Sequence, residues 1–163
     1  LMTWKRNLII TVFILGTLIF VLSRFYINVQ SEYWSEESKA VQTAYAKSAL
    51  KKASKVEAFY GDKPLQIISG EDENGEQIFV WVAGEEVHVE KAADAASEQQ
   101  IRDTMKQKDP ALELMRVMPG LIEGKYVWEV FYKKKEASGT RYYYDYYHFH
   151  DGSFIDTYRL SLQ

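Results

Sequence analysis

Hydrophobic residues fall along this chain in three rhythms. From Leu8 to Ser23 the chain is apolar and carries no charge. A helix rises about 1.5 Å per residue, and a bilayer core of roughly 30 Å needs about 20 apolar residues. Arg24 interrupts the run, and Phe25, Tyr26, Ile27 and Val29 resume it. An arginine at the edge of a span can lift its guanidinium to the headgroups while its stem stays in lipid. The pattern predicts a transmembrane helix over residues 8–29, with Phe25 and Tyr26 at the interfacial aromatic level.

The second rhythm is helical. Ser35 is placed as an N-cap, and Glu36 and Glu37 suit the positive end of a helix dipole. Ala46, Ala49, Leu50, Ala53 and Val56 recur at three and four, opposite Lys47, Lys51, Lys52 and Lys55. This predicts a helix from residue 35 to residue 60, stopped by Gly61. Residues 30–34 are left as a spacer, spanning at most about 17 Å when extended.

The third rhythm is that of strands. Residues 65–69, 78–82 and 87–89 read as three of them, joined by a turn containing Asn74-Gly75 and by Gly84-Glu85. The order then repeats. Ser97-Glu98-Gln99-Gln100 has the form of a capping box. It opens a helix to about Lys108, with Ile101 and Met105 one turn apart and Pro110 beyond its end. Strands are expected over 112–118, 126–132, 141–149 and 154–160, with 133–139 as an exposed loop. A helix followed by an antiparallel meander thus appears twice, in units over 35–91 and 92–163. Units this small are marginal alone and are expected to pack on each other in an α+β layout.

Charge decides the orientation. Lys5 and Arg6 precede the apolar run, and the next charges after Arg24 are Glu32, Glu36 and Glu37. The positive-inside bias keeps residues 1–7 in the cytoplasm and exports the rest. A cleaved signal peptide is the rival reading. It needs small residues after its core, and Phe25-Tyr26-Ile27-Asn28-Val29 is bulky. Beyond residue 30 the chain holds 17 basic against 23 acidic residues, a net charge near −6. That balance excludes nucleic acid as a partner, because nucleic acid needs clustered Lys and Arg. With no cysteine the chain has no disulfide, thiolate metal site or thiol nucleophile.

Val127-Trp128-Glu129-Val130, followed by Phe149-His150-Asp151-Gly152-Ser153-Phe154-Ile155, resembles the PepSY pattern. The chain as a whole resembles the YpmB family of Gram-positive bacteria, the TseB-like cell wall elongation regulators. The resemblance implies two PepSY/cystatin-like units behind a membrane anchor, without enzymatic activity. It also implies binding to a class B penicillin-binding protein of the elongation machinery. It assigns no interface residues. The alternatives are a binder of peptidoglycan or teichoic acid and a PepSY-type modulator of a peptidase.

Candidate chemistry is sparse. His148 and His150, two apart on an expected strand, would face one way beside Asp151. Zinc needs a third fixed ligand, and His88 lies in the other half, so ordinary strand histidines are the better reading. Ser48-Ala49-Leu50-Lys51 fits S-x-x-K only formally. The acids Glu71, Asp72, Glu73, Glu85 and Glu86 fall in turns, where solvation explains them better than glycosidase chemistry. No catalytic residue, metal ligand or cofactor is assigned. The run Tyr142-Tyr143-Tyr144-Asp145-Tyr146-Tyr147 stands out. On a strand, Tyr142, Tyr144, Tyr146 and His148 share one face. That face is either core or an aromatic platform for a partner or a sugar.

Overall fold

Helix α1 runs without interruption from Met2 to Lys47 in the computed structural model. The structure describes the backbone of residues 2–161, and the side chains of all of these except residues 2–11, 25 and 27–34. The chain divides into a helical unit, residues 1–39, and a second unit, residues 40–163. In the first, the described side chains from Val12 to Arg24 are all exposed. Among the described residues no helix is long and apolar enough to cross a membrane. The expected span 8–29 lies partly outside the described side chains.

Two expectations about α1 are corrected. Residues 30–34 are helical rather than a spacer, and no helix begins at Ser35. The helix also stops well before residue 60. The Ser48 N–H and hydroxyl both donate to the Ala44 carbonyl, at 3.0 and 2.6 Å, and the Ser48 hydroxyl accepts from the Leu50 N–H at 3.1 Å. Strand β1 follows, Leu50–Tyr60. Its pairing carries register shifts between Leu50 and Lys52 and between Ala53 and Lys55. Each bulge inserts one residue on the same side of the pleat. Leu50, Ala53 and Val56 therefore reach one core at a spacing of three, a rhythm that mimics a helix.

β1 opens a four-stranded antiparallel sheet with β2 (Pro64–Asp72), β3 (Gln77–Ala83) and β4 (Glu86–Lys91), in sequential order. After a short 3-10 turn, Ala92–Asp94, helix α2 spans Glu98–Lys108. β5 (Glu113–Ile122), β6 (Lys125–Glu136), β7 (Gly139–His148) and β8 (Phe154–Arg159) make a second sequential sheet. The expected loop 133–139 is instead the end of a long hairpin. Lys133 pairs with Tyr142 and Glu136 with Gly139, leaving a two-residue turn at Ala137-Ser138. Its lysines are held in place by ions: Lys133 meets Glu113 at 2.8 Å and Lys134 meets Asp109 at 2.9 Å.

The first sheet is covered on both faces. One carries Leu50, Ile68, Ile78, Val80 and Val82 against Ala40 and Ala44 of α1. The other carries Phe59, Leu65, Ile67 and Trp81 into a core shared with Ile101, Met105, Trp128, Tyr147 and Phe149. Phe79 meets Trp128 and Phe149 edge-on, at 5.8 and 5.5 Å, and Trp81 meets Tyr126 at 4.9 Å. The two sheets thus share one apolar core within the unit of residues 40–163.

Two stability tests arise from this packing. The expected capping box at α2 is formed: the Ser97 hydroxyl accepts from the Gln100 N–H at 3.1 Å, and the Gln100 side chain accepts from the Ser97 N–H at 2.7 Å. Ser97→Ala should cost about 1 kcal/mol in urea denaturation, with an unchanged slope. Gly120 is a tighter case. A Cβ there would lie 2.5 Å from the Phe59 ring, itself buried at 2% exposure. Gly120→Ala should cost about 1–3 kcal/mol by overpacking, and Phe59→Leu should recover part of that loss in the double variant.

Candidate partner surface

β7 sorts the tyrosine run by pleat. Asp145 and Tyr147 are buried, with Phe149 just beyond the strand, whereas Tyr142, Tyr144 and Tyr146 are half-buried and His148 is exposed. The inner row meets α2 and the segment just before it: Ala96 N–H donates to the Phe149 carbonyl, Trp128 Nε1 donates to the Ala96 carbonyl at 2.9 Å, and the Tyr147 hydroxyl reaches Met105 Sδ of α2 at 2.9 Å. The end of α1 is committed to the other sheet. The outer row is thus the sheet face that neither helix of the folded unit covers.

That face carries two aromatic groups, and Met118, Val127 and Glu129, which share it by register, are buried. Phe131 stacks with Tyr144 at 4.7 Å and with Tyr142 at 5.9 Å. Tyr146 meets Tyr158 edge-on at 5.6 Å, and Tyr158 is 53% exposed. Glu129 lies beneath, 6% exposed, accepting from Arg116 at 2.7 Å and from the Tyr146 hydroxyl at 3.2 Å. Burial, with the charge of Glu129, holds the Tyr146 hydroxyl protonated well above the usual tyrosine range. The stacked faces satisfy one another, while the hydroxyls of Tyr142, Tyr144 and Tyr158 make no hydrogen bond among the described residues. Amphipathic rings presented this way suit a protein contact.

The inner row also holds a buried acid. Asp145 is fully buried, and its carboxylate accepts from Lys108 Nζ at 2.6 Å, Thr157 Oγ1 at 2.7 Å, the Tyr132 hydroxyl at 3.0 Å and the Tyr147 hydroxyl at 3.4 Å. The lysine comes from the last turn of α2, the hydroxyls from β6, β7 and β8. Lys108 also stands 5.2 Å from the centre of the Phe154 ring. This buried anion pins the end of α2 to β6, β7 and β8.

The histidines are placed differently from the expectation. β7 ends at His148, so His150 lies in the turn beyond it, and the same-face argument does not apply. His148 adds to the hydrogen bonds from Ser153 that hold the Asp151 carboxyl below its usual range. His150 instead turns toward the first sheet. Its Nε2 is 3.9 Å from Glu90 Oε1, which also lies 2.7 Å from His88 Nε2. The Tyr126 ring stacks on His88 at 4.0 Å. His88, expected to be remote, is thus brought to the same carboxylate as His150. Glu90 and Tyr126 had no motif to single them out. Among the described residues no three His, Cys, Asp or Glu side chains are grouped to hold a metal ion. Ser48 of the formal S-x-x-K closes α1, and Lys51 lies on β1.

These features define a tandem α+β scaffold with an aromatic sheet face that is half-buried at Tyr142, Tyr144 and Tyr146 and closed around Gly120 by Phe59. Residues 39–83 match the family described as the cell wall elongation regulator TseB-like domain. Among solved structures, the chain is similar to the YpmB protein from Bacillus subtilis, at 22% identity and a TM-score of 0.64, covering 76% of this chain and 96% of that one. At that identity the likeness is one of fold. No curated protein matches the chain. The YpmB/TseB-like resemblance read from the sequence is the one these findings support. The family match covers α1's end and β1–β3, whereas the suggestive PepSY motifs lie in the second sheet.

Proposed function

We propose that this protein is a membrane-anchored, extracytoplasmic, non-enzymatic regulator of cell wall elongation that binds a class B penicillin-binding protein. The TseB-like match over residues 39–83 carries the reading. The anchor is proposed over residues 8–29, with residues 1–7 cytoplasmic and the two units at 35–91 and 92–163 outside. Supporting it, Val12, Phe13, Ile14, Leu15, Leu18 and Ile19 are all exposed on one helix, a surface that water does not favour. The contact is proposed to involve Tyr142, Tyr144, Tyr146 and His148. A protein is favoured over a sugar as the occupant, because Phe131 occupies ring faces of Tyr142 and Tyr144 that a sugar would need.

Crosslinking in the cell's own membranes, followed by purification of the full chain, tests this reading. A class B penicillin-binding protein should be recovered. Tyr144→Ala should reduce that recovery about tenfold, the loss expected for one aromatic contact of about 1.4 kcal/mol. Recovery of wall glycan alone, or of no wall enzyme, would overturn it.

A further inference from the structure

β5 is an edge strand whose one neighbour in the sheet is β6. Its second half is occupied by the first sheet: a Cβ on Gly61 would lie 2.5 Å from the Leu121 carbonyl oxygen, and the Glu123 N–H just past the strand donates to Asp62 at 2.6 Å. Its first half, residues 113–117, carries no comparable cover among the described residues. A groove of about 460 Å³ runs beside it, lined by Arg102 and Lys106 of α2 and by Pro110, Leu112, Glu113 and Leu114. The register shift between Leu114 and Arg116 falls here, and Met115 at the bulge is 49% exposed.

Charge distinguishes this edge from the others. The two charges of this stretch, Glu113 and Arg116, are each ion-paired within the sheet, to Lys133 and Glu129, whereas Lys51 on β1, Glu86 on β4 and Asp156 and Arg159 on β8 form no ion pair among the described residues, and free edge charges discourage strand addition. In the groove, Arg102 is paired with Glu98, and Glu113 with Lys133. Lys106 forms no ion pair among the described residues. An apolar floor with an unneutralised ammonium on its wall complements a segment that alternates apolar and acidic side chains. The register places Lys133 and Tyr142 in line with Glu113, and Phe131 and Tyr144 in line with Arg116. A strand added at 113–117 therefore widens the sheet that carries the aromatic row.

We infer that an extended segment of the partner adds to β5 at residues 113–117 as a fifth strand. Its apolar side chains enter the groove over Leu112 and Leu114, and an acidic one reaches Lys106. Backbone pairing supplies affinity and the groove supplies selectivity. This rests on the reading that the partner is a class B penicillin-binding protein.

The test uses the full chain in membranes of the cell that makes it, with a photoreactive phenylalanine analogue at Met115, at Lys106, at Tyr144 or at the exposed Arg159 on the opposite edge. Adducts to the penicillin-binding protein are expected from Met115 and Lys106, the captured peptide being an extended segment with acidic residues. Lys106→Glu should lower the Met115 adduct about tenfold and Lys106→Arg should preserve it. Lys106 is exposed on α2, so circular dichroism should be unchanged. Adducts from Tyr144 or Arg159 alone, or a captured peptide that is basic or helical, overturn the edge and leave the proposed function standing. No adduct to that enzyme from any position removes both.

Discussion

Asp145→Ala should destabilise the folded unit by about 2–4 kcal/mol, a large share of the stability of an ordinary domain. Asp145 is an anion with no exposed surface, surrounded by four donors. Its removal leaves the hydroxyl of Tyr132, a residue only 4% exposed, without an acceptor, and costs about 1–3 kcal/mol for each buried group so stranded. Lys108 contributes less to the penalty, because its side chain is 43% exposed and can return to water. Asp145→Asn should cost less than Asp145→Ala, since the amide keeps the shape and one acceptor oxygen.

The cause can be separated from simple loss of volume. In a background of Tyr132→Phe and Tyr147→Phe the stranded hydroxyls are gone, so Asp145→Ala should cost less there by about 1–3 kcal/mol. Urea denaturation of the single, double and triple variants measures that coupling. Additive losses would show that the hydroxyl network is not what the carboxylate stabilises. Because Lys108 is the last residue of α2, the same variant should also raise amide exchange along Glu98–Lys108 before the sheets are affected.

The fold was legible where local chemistry and periodicity agreed. Ser97 and Gln100 announced α2, and Asn74-Gly75 and Gly84 marked turns in which both glycines adopt positive φ. Doubling of the helix-and-meander unit followed from the same signals. It was illegible at β1, where two bulges convert a strand's spacing of two into three. No local residue distinguishes that from an alanine-rich helix face. Residues 133–139 misled for a different reason. Their lysines look solvated, but their partners Glu113 and Asp109 are distant in sequence. At the candidate surface, alternation along β7 separated Tyr142, Tyr144 and Tyr146 from Asp145 and Tyr147 correctly. The convergence of His88 and His150 on Glu90 depends on how one sheet packs on the other, which no spacing within either half encodes.

Alkaline pH should unfold this protein more steeply than its acidic composition suggests. Burial first, then the charge of Asp145, raises the hydroxyl pKa values of Tyr132 and Tyr147 above the usual range, and burial with Glu129 does the same for Tyr146. An unfolded tyrosine loses its proton near about pH 10. The folded chain holds these protons longer, so above that pH the unfolded state binds fewer protons than the native one. By linkage, stability from these groups is fully present below about pH 10 and falls as the pH rises toward the folded values. Each group contributes a slope of at most about 1.4 kcal/mol per pH unit, so three together approach about 4. Lys91, Lys133 and Lys134, held up by hydrogen bonds to Glu76, Glu113 and Asp109, act in the same direction, though solvent screens them. Urea midpoints followed from neutral pH to about pH 11 should be level at first and then drop sharply, coincident with appearance of the ultraviolet tyrosinate band. Tyr146→Phe, on the outer face, should remove about one proton from that slope without disturbing the Asp145 network. A midpoint that stays level beyond about pH 11 would show that these hydroxyls are as free to ionise in the folded chain as in the unfolded one.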